Sequence, residues 1–239
     1  MAIMHWEKEG TVARIVMTDG ENRHNLEYIA TILRLFDEIE ADKGISAVVI
    51  TSDHPKYFSL GIDLNWVMTL LGDVQKLNEL KKFLYGINDM FKRMLLFPMP
   101  IIAAINGHAF GDGAIMCCAC DFRFMRADRG FFCFPEVDIN IPFLPGMLEI
   151  VKTAIPYYKF MDMSLTGKRV GAKELEEHHI IVKACADDQE LREASMAFAK
   201  SLNKERGIFG EMKRRLNKGI IRAIEQDDPP FIEAAKLLA

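Results

Sequence analysis

Ile101-Ile102-Ala103-Ala104-Ile105-Asn106-Gly107-His108-Ala109-Phe110-Gly111-Asp112-Gly113 joins a short apolar run to a glycine-rich loop, and an apolar helix is expected from about Ala114. Such an unbroken run, bounded by turn residues, reads as a strand covered on both faces, as in a parallel sheet. The same plan occurs earlier. Ala47-Val48-Val49-Ile50-Thr51 is a second buried-strand candidate, and Lys56-Tyr57-Phe58-Ser59-Leu60-Gly61-Ile62-Asp63-Leu64 is the loop after it. Val74 to Leu96 then has helical spacing until Pro98 and Pro100 stop it. Recurrence of strand, glycine-containing loop and helix defines an α/β chain.

Outward from this repeat, Met4 to Lys8 and Thr11 to Met17 flank Gly10 as an N-terminal hairpin. Leu26, Ile29, Ile32, Leu33, Phe36 and Ile39 mark a helix that Asn25 is placed to cap and Lys43-Gly44 to end. Phe122 to Met125 and Phe131 to Phe134 read as further short strands, after which helices dominate. A division into a core over residues 1-190 and a helical region over 191-239 is expected.

The chain has 239 residues, 50% of them hydrophobic and 27% charged, the composition of a water-soluble globular protein. Its formal net charge of -4 provides no broad positive field for nucleic acid or an anionic membrane. The longest apolar stretch, Met94 to Ile105, is interrupted by proline and falls short of the roughly 18 residues a span needs. Met1-Ala2-Ile3-Met4-His5-Trp6-Glu7-Lys8 lacks a signal core and Lys236-Leu237-Leu238-Ala239 is not a Ser-Lys-Leu address, so a cytoplasmic setting is expected. The odd cysteine count of 5 agrees. Cys117, Cys118 and Cys120 have no companion at metal-site spacing and read as buried packing; no metal site is expected.

Each glycine-rich loop can present a free backbone N–H at a helix start, which favours negative charge. If the two strands are neighbours, two such groups can converge on one oxygen, the geometry of an oxyanion hole. Taken singly, either loop is equally a plain helix-start turn. Phe131-Phe132-Cys133-Phe134-Pro135-Glu136-Val137 adds one carboxylate in an apolar setting, where burial raises the pKa and suits a general base. The alternative is that Glu136 points outward or pairs with Arg123, Arg126 or Arg129.

Together these residues resemble the crotonase (enoyl-CoA hydratase/isomerase) superfamily over nearly the whole chain. Phe58 to Leu64 is similar to the family's first oxyanion loop, Asn106 to Gly113 to the second, Pro135-Glu136-Val137 to the segment with a catalytic Glu, and Thr166 to Ala172 to a later helix-connecting turn. The resemblance implies a crotonase-like spiral of repeated β-β-α turns with C-terminal helices, assembled as a homotrimer or dimer of trimers. It implies an acyl-CoA thioester ligand, with coenzyme A part of the substrate and no separate cofactor. Its carbonyl oxygen is expected between the N–H groups of Ser59 and Asp112. Ser59, Leu60, Gly61 and Ile62, with Arg23 and His24 of the early loop and Asp112, are expected to border the CoA ester.

Two residues depart from the family pattern. Ile115 stands where hydratases of the family carry a second Glu, which leaves Glu136 as the lone matching carboxylate. One base suffices to move a double bond, so the resemblance implies a Δ3-Δ2-enoyl-CoA isomerase with Glu136 as base. Asp112 stands where a small residue is usual. It is expected to turn away from the oxygen, with two alternatives open: a second carboxylate that restores 2-enoyl-CoA hydration, or a non-catalytic acyl-CoA-binding subunit. His178-His179 reads as a solvated turn, His108 as loop packing or pocket wall. Lys213, Arg214, Arg215, Lys218 and Arg222 form a basic cluster, read mainly as a solvated helix face with one or two side chains able to reach a CoA phosphate.

Overall fold

The computed structural model describes residues 2–71 and 74–234; Lys236 to Ala239, read above for a targeting address, lie outside them. Strands β1 (Met4–Glu9) and β2 (Val12–Met17) form the expected antiparallel hairpin. Helix α1 (Leu26–Ala41) follows, with the Asn25 side chain accepting the Tyr28 N–H as its cap. Three turns of the chain then repeat one plan, each opening with two strands: β3 (Ala47–Ser52) and β4 (Tyr57–Ser59), β5 (Ile101–Ile105) and β6 (His108–Phe110), β7 (Phe122–Arg126) and β8 (Phe132–Cys133). A last strand, β9 (Lys183–Cys185), completes the set.

The first strand of every turn joins a six-stranded sheet in the order β1-β2-β3-β5-β7-β9, and the second joins a separate three-stranded sheet, β4-β6-β8. All pairs beyond the hairpin are parallel. Helices α2 (Leu64–Leu70) and α3 (Val74–Leu96) close the first turn, α4 (Asp112–Ala119) the second, and α5 (Glu136–Ile139) follows β8. This is the expected β-β-α spiral. Then come α6 (Pro145–Ala154), α7 (Tyr157–Thr166), α8 (Ala172–Glu177), α9 (Asp188–Ser201) and α10 (Arg206–Leu216), and after them short helices Lys218–Arg222 and Pro229–Glu233 around a wide π turn at Ala223–Asp227.

The unbroken apolar runs have a simple cause. Val48, Ile50, Ile101, Ala103 and Ile105 enter the main core with α1, α3 and α4, whereas Ala47, Val49, Ile102 and Ala104 enter a second core with Leu191, Met196 and Ala199 of α9. Alternate residues of one strand thus meet different layers, and each large aliphatic side chain so buried contributes about 1.5–3 kcal/mol. The division expected at 190/191 falls inside α9, which packs on the same sheet as the core strands. Among the described residues no helix is long and apolar enough to cross a membrane.

Several elements differ from the sequence reading. The short strands β4 and β6 lie inside segments read as loops, β9 was not anticipated, and α4 starts at Asp112. Runs of three residues are too short for a period to register. The basic cluster also divides: Lys213 is buried, its Nζ donating to Met94 O (2.9 Å) and to Asp121 Oδ2 (2.8 Å). It pins α10 to the end of α3 rather than facing solvent.

Candidate active site

Parallel pairing of β4 with β6 sets the two glycine-rich loops side by side. Gly61 has φ +72°, and a Cβ there would lie 2.7 Å from Phe110 O and 2.8 Å from Asp112 N. Only glycine lets the loops approach this closely. Ile62 forms a parallel bridge with His24, in which His24 N–H donates to Gly61 O (2.8 Å) and Asp63 N–H to His24 O (3.0 Å). Such a bridge uses the groups of the flanking residues, so the N–H of Ile62 itself points the other way. Asp112 is the first residue of α4, and its N–H has no acceptor within the helix.

The third component arrives through β8. Gly111 N–H donates to Cys133 O (3.0 Å), holding the second loop against the segment that leads through Pro135 to Glu136, the first residue of α5. A Cβ on Gly111 would lie 3.4 Å from Glu136 Oε1, which places this carboxyl beside the start of α4. Glu136 Oε2 is fully buried with no hydrogen-bond partner. Burial pushes the Glu136 carboxyl up to about 8, against the opposing effect of a backbone hydrogen bond. Arg123 is spent on carbonyls of Ile180, Cys117 and Cys120, Arg126 on Asp128, and Arg129 on Pro55 O and Asp128. None of the three candidates pairs with Glu136.

These parts line a cavity of about 210 Å³ with Arg23, Leu60, Ile62, Asp112, Glu136 and Ile141 on its wall. Two apolar cavities flank it: one of about 470 Å³ reaching from Glu136 to Phe143, Leu148 and Phe160, and one of about 230 Å³ between Ile62, Leu64, Phe83 and Ile139. Ile141 lines all three. A further polar cleft of about 340 Å³ lies on the α9 face, where Arg14, Arg126 and Arg192 are already paired with acidic side chains.

Of the residues expected at the site, Arg23, Leu60, Ile62, Asp112 and Glu136 share the cavity wall, and Gly61 sits between the loops. Ser59 and His24 do not reach it. Both are 0% exposed, because β4 runs into the interior and turns Ser59 toward the early loop rather than outward. His24 therefore cannot border a ligand with its side chain, and on the first loop Ile62 occupies the wall position expected of Ser59. Ile115 is buried in the core, and the buried Cys117, Cys118 and Cys120 pack around α4. His108 stacks on Phe131 and accepts the Phe131 N–H, a loop-packing role. In the turn from Thr166, Val170 bridges Phe132 and so braces β8.

Sequence reasoning missed the ion-pair contact between His24 and Asp112, 2.5 Å apart and 88 positions apart in the chain. No local pattern signals such a pair. It also missed the apolar walls at Ile139, Ile141 and Phe143, which look like ordinary core residues in the sequence.

The fold agrees with that of known proteins. The sequence model of the enoyl-CoA hydratase/isomerase family matches residues 7–228, and the chain belongs to that family. It is 32% identical over 186 residues to the peroxisomal enoyl-CoA delta isomerase 2 of Arabidopsis thaliana, covering 77% of this chain and 78% of that protein. It is 29% identical over 224 residues to a putative enoyl-CoA hydratase of Thermus thermophilus, covering 91% and 83%. A crystal structure of an enoyl-CoA hydratase/isomerase family protein from Pseudomonas syringae superimposes with a TM-score of 0.87 over 99% of this chain and 98% of that one, at 20% identity, a likeness of fold.

Proposed function

We propose that the protein moves the double bond of a 3-enoyl-CoA to give the 2-enoyl-CoA. The observation that carries this reading is the Glu136 carboxyl, with Oε2 unpartnered, in one cavity with the start of α4 and with Ile62. The thioester oxygen accepts the N–H groups of Ile62 and Asp112. Ile62 takes the place that the sequence reading gave to Ser59. Glu136, as carboxylate, removes a proton from C2; the electron pair delocalises over the thioester and the 3,4 double bond as a dienolate. Glu136, now protonated, returns the proton at C4, and the double bond stands between C2 and C3. Two preorganised amides stabilise the charge that develops on the oxygen, and loss of one such donor costs on the order of 10²-fold to 10³-fold in rate.

The flanking apolar cavities suit an acyl chain, and Arg23 at the wall suits the phosphate-bearing part of the ester. Assembly as a homotrimer or dimer of trimers, and a cytoplasmic setting, belong to the same proposal; light scattering on the purified protein tests the first. A second reading, hydration of 2-enoyl-CoA, is favoured by Asp112, whose Oδ1 has no partner and which shares the cavity with Glu136. Incubation with crotonyl-CoA in heavy-oxygen water separates the two. Label in a 3-hydroxyacyl product supports hydration, and conversion of a 3-enoyl-CoA without label incorporation supports isomerisation. Binding of acyl-CoA with no exchange of the α-proton into heavy water would instead mark a non-catalytic binder.

A further inference from the structure

Asp112 creates a difficulty for the reading above. Its N–H serves the thioester oxygen while its own buried carboxyl stands nearby, and an uncompensated charge there opposes the dienolate. The surroundings of His24 resolve this. His24 Nδ1 lies 2.5 Å from Asp112 Oδ2, and His24 Nε2 lies 3.0 Å from Ser59 Oγ. The His24 ring is stacked on Tyr28 at 4.2 Å between centroids, so it has a fixed plane.

Counting hydrogens fixes where the protons are. Ser59 Oγ has one hydrogen to give and two lone pairs to accept with. It lies 2.8 Å from Asn22 O, a carbonyl that has no hydrogen of its own, so the hydroxyl hydrogen goes there. Gly61 N–H, at 3.1 Å, takes one lone pair. His24 Nε2 therefore has to donate to the other, and Nε2 carries a hydrogen. A single further proton lies between Nδ1 and Asp112 Oδ2. Wherever along that contact it sits, histidine and aspartate together have zero net charge.

We infer that His24 is a positioning residue for the oxyanion site, joining the two loops and cancelling the charge of Asp112. Its main chain is bridged to Gly61 and Asp63 on either side of Ile62, and its ring holds the Ser59 and Asp112 side chains. One residue thus fixes both amide donors. The Ser59–His24–Asp112 chain has the order of a nucleophilic triad, but Ser59 is 0% exposed with its hydrogen given to Asn22 O, so it serves the scaffold and not attack.

The kinetic part of this inference rests on the proposed isomerisation; the protonation part does not. The first experiment is nitrogen NMR of the full chain with labelled histidine. His24 Nε2 is expected to bear a hydrogen. An Nε2 with a bare lone pair overturns the inference whatever the activity. The second compares His24→Gln with His24→Gln/Asp112→Asn on a 3-enoyl-CoA. His24→Gln leaves the buried carboxylate uncompensated and is expected to lower kcat by on the order of 10²-fold with KM little changed. Asp112→Asn in that background is expected to recover at least about tenfold of the loss, because neutrality is restored. A double variant no better than His24→Gln alone overturns charge cancellation. Should His24→Gln fail to fold, the NMR result decides. Full activity in Glu136→Gln would sink the isomerase reading and leave the NMR result standing.

Discussion

The two carboxyl groups of the cavity stand in opposite surroundings. Asp112 has one oxygen held by His24 at 2.5 Å, within a chain of hydrogen bonds through imidazole, hydroxyl and main chain, and leaves only Oδ1 without a partner. Glu136 follows β8 after Phe132, Phe134 and Pro135, is paired with none of Arg123, Arg126 and Arg129, and has one oxygen bare. The same functional group thus sits against an imidazole on one wall and holds its proton more tightly than a free carboxylic acid on the other. On the proposed mechanism the difference separates scaffold from base: a carboxyl locked in a close contact with an imidazole is poor at trading protons with a carbon acid, and one raised toward neutrality is good at it.

Removing the Glu136 side of this contrast has the largest expected effect. Glu136→Gln should lower isomerisation by on the order of 10³-fold while acyl-CoA binding, read by calorimetry, persists. Undiminished turnover would remove the base from the mechanism. Next in size is pH. With Glu136 at about 8, the free-enzyme kcat/KM should fall about tenfold per unit as pH drops below that value, because only the carboxylate accepts a proton. A profile flat between about pH 6 and pH 8 would break the assignment. Stability has the reverse slope: a carboxyl raised from 4.5 favours the folded state fully below pH 4.5 and loses that contribution as pH rises through about 8. The melting temperature of Glu136→Gln should therefore gain on the wild type between about pH 5 and pH 8.

A smaller effect tests the junction between the two walls. Gly61→Ala forces a Cβ to within 2.7 Å of Phe110 O at a φ of +72°, and should destabilise the fold by about 1–3 kcal/mol and push the loops apart, lowering kcat about tenfold. Wild-type melting and turnover would show that the loops are not in register. Smallest is Arg23→Ala. Its Nε is shared with Glu21 near the surface, so KM for the CoA ester should rise only about two- to fivefold, with kcat unchanged.

Legibility in the sequence followed the length over which a signal accumulates. The runs at β3 and β5 announced buried parallel strands because every residue must satisfy one of two cores, and Asn25 announced a helix start through its own cap. Glu136 was found because its neighbours are aromatic. β4, β6 and β9 left no comparable mark, since three residues have no period to display. Ser59 was misjudged for a related reason: whether a residue in a glycine-rich loop turns inward depends on the strand it continues.

The chain by itself settled which residues are apolar, where backbone can bend through glycine, and that a single carboxylate sits in greasy company. Local chemistry suffices for those matters, because propensity and burial act within a few neighbours. What tertiary structure alone decided is which loop residue reaches the cavity wall, Ile62 rather than Ser59, and that a histidine of the early loop meets an aspartate 88 positions later. Those outcomes depend on distances across the fold, and no spacing along a polypeptide encodes how two loops from different turns of a spiral come into contact.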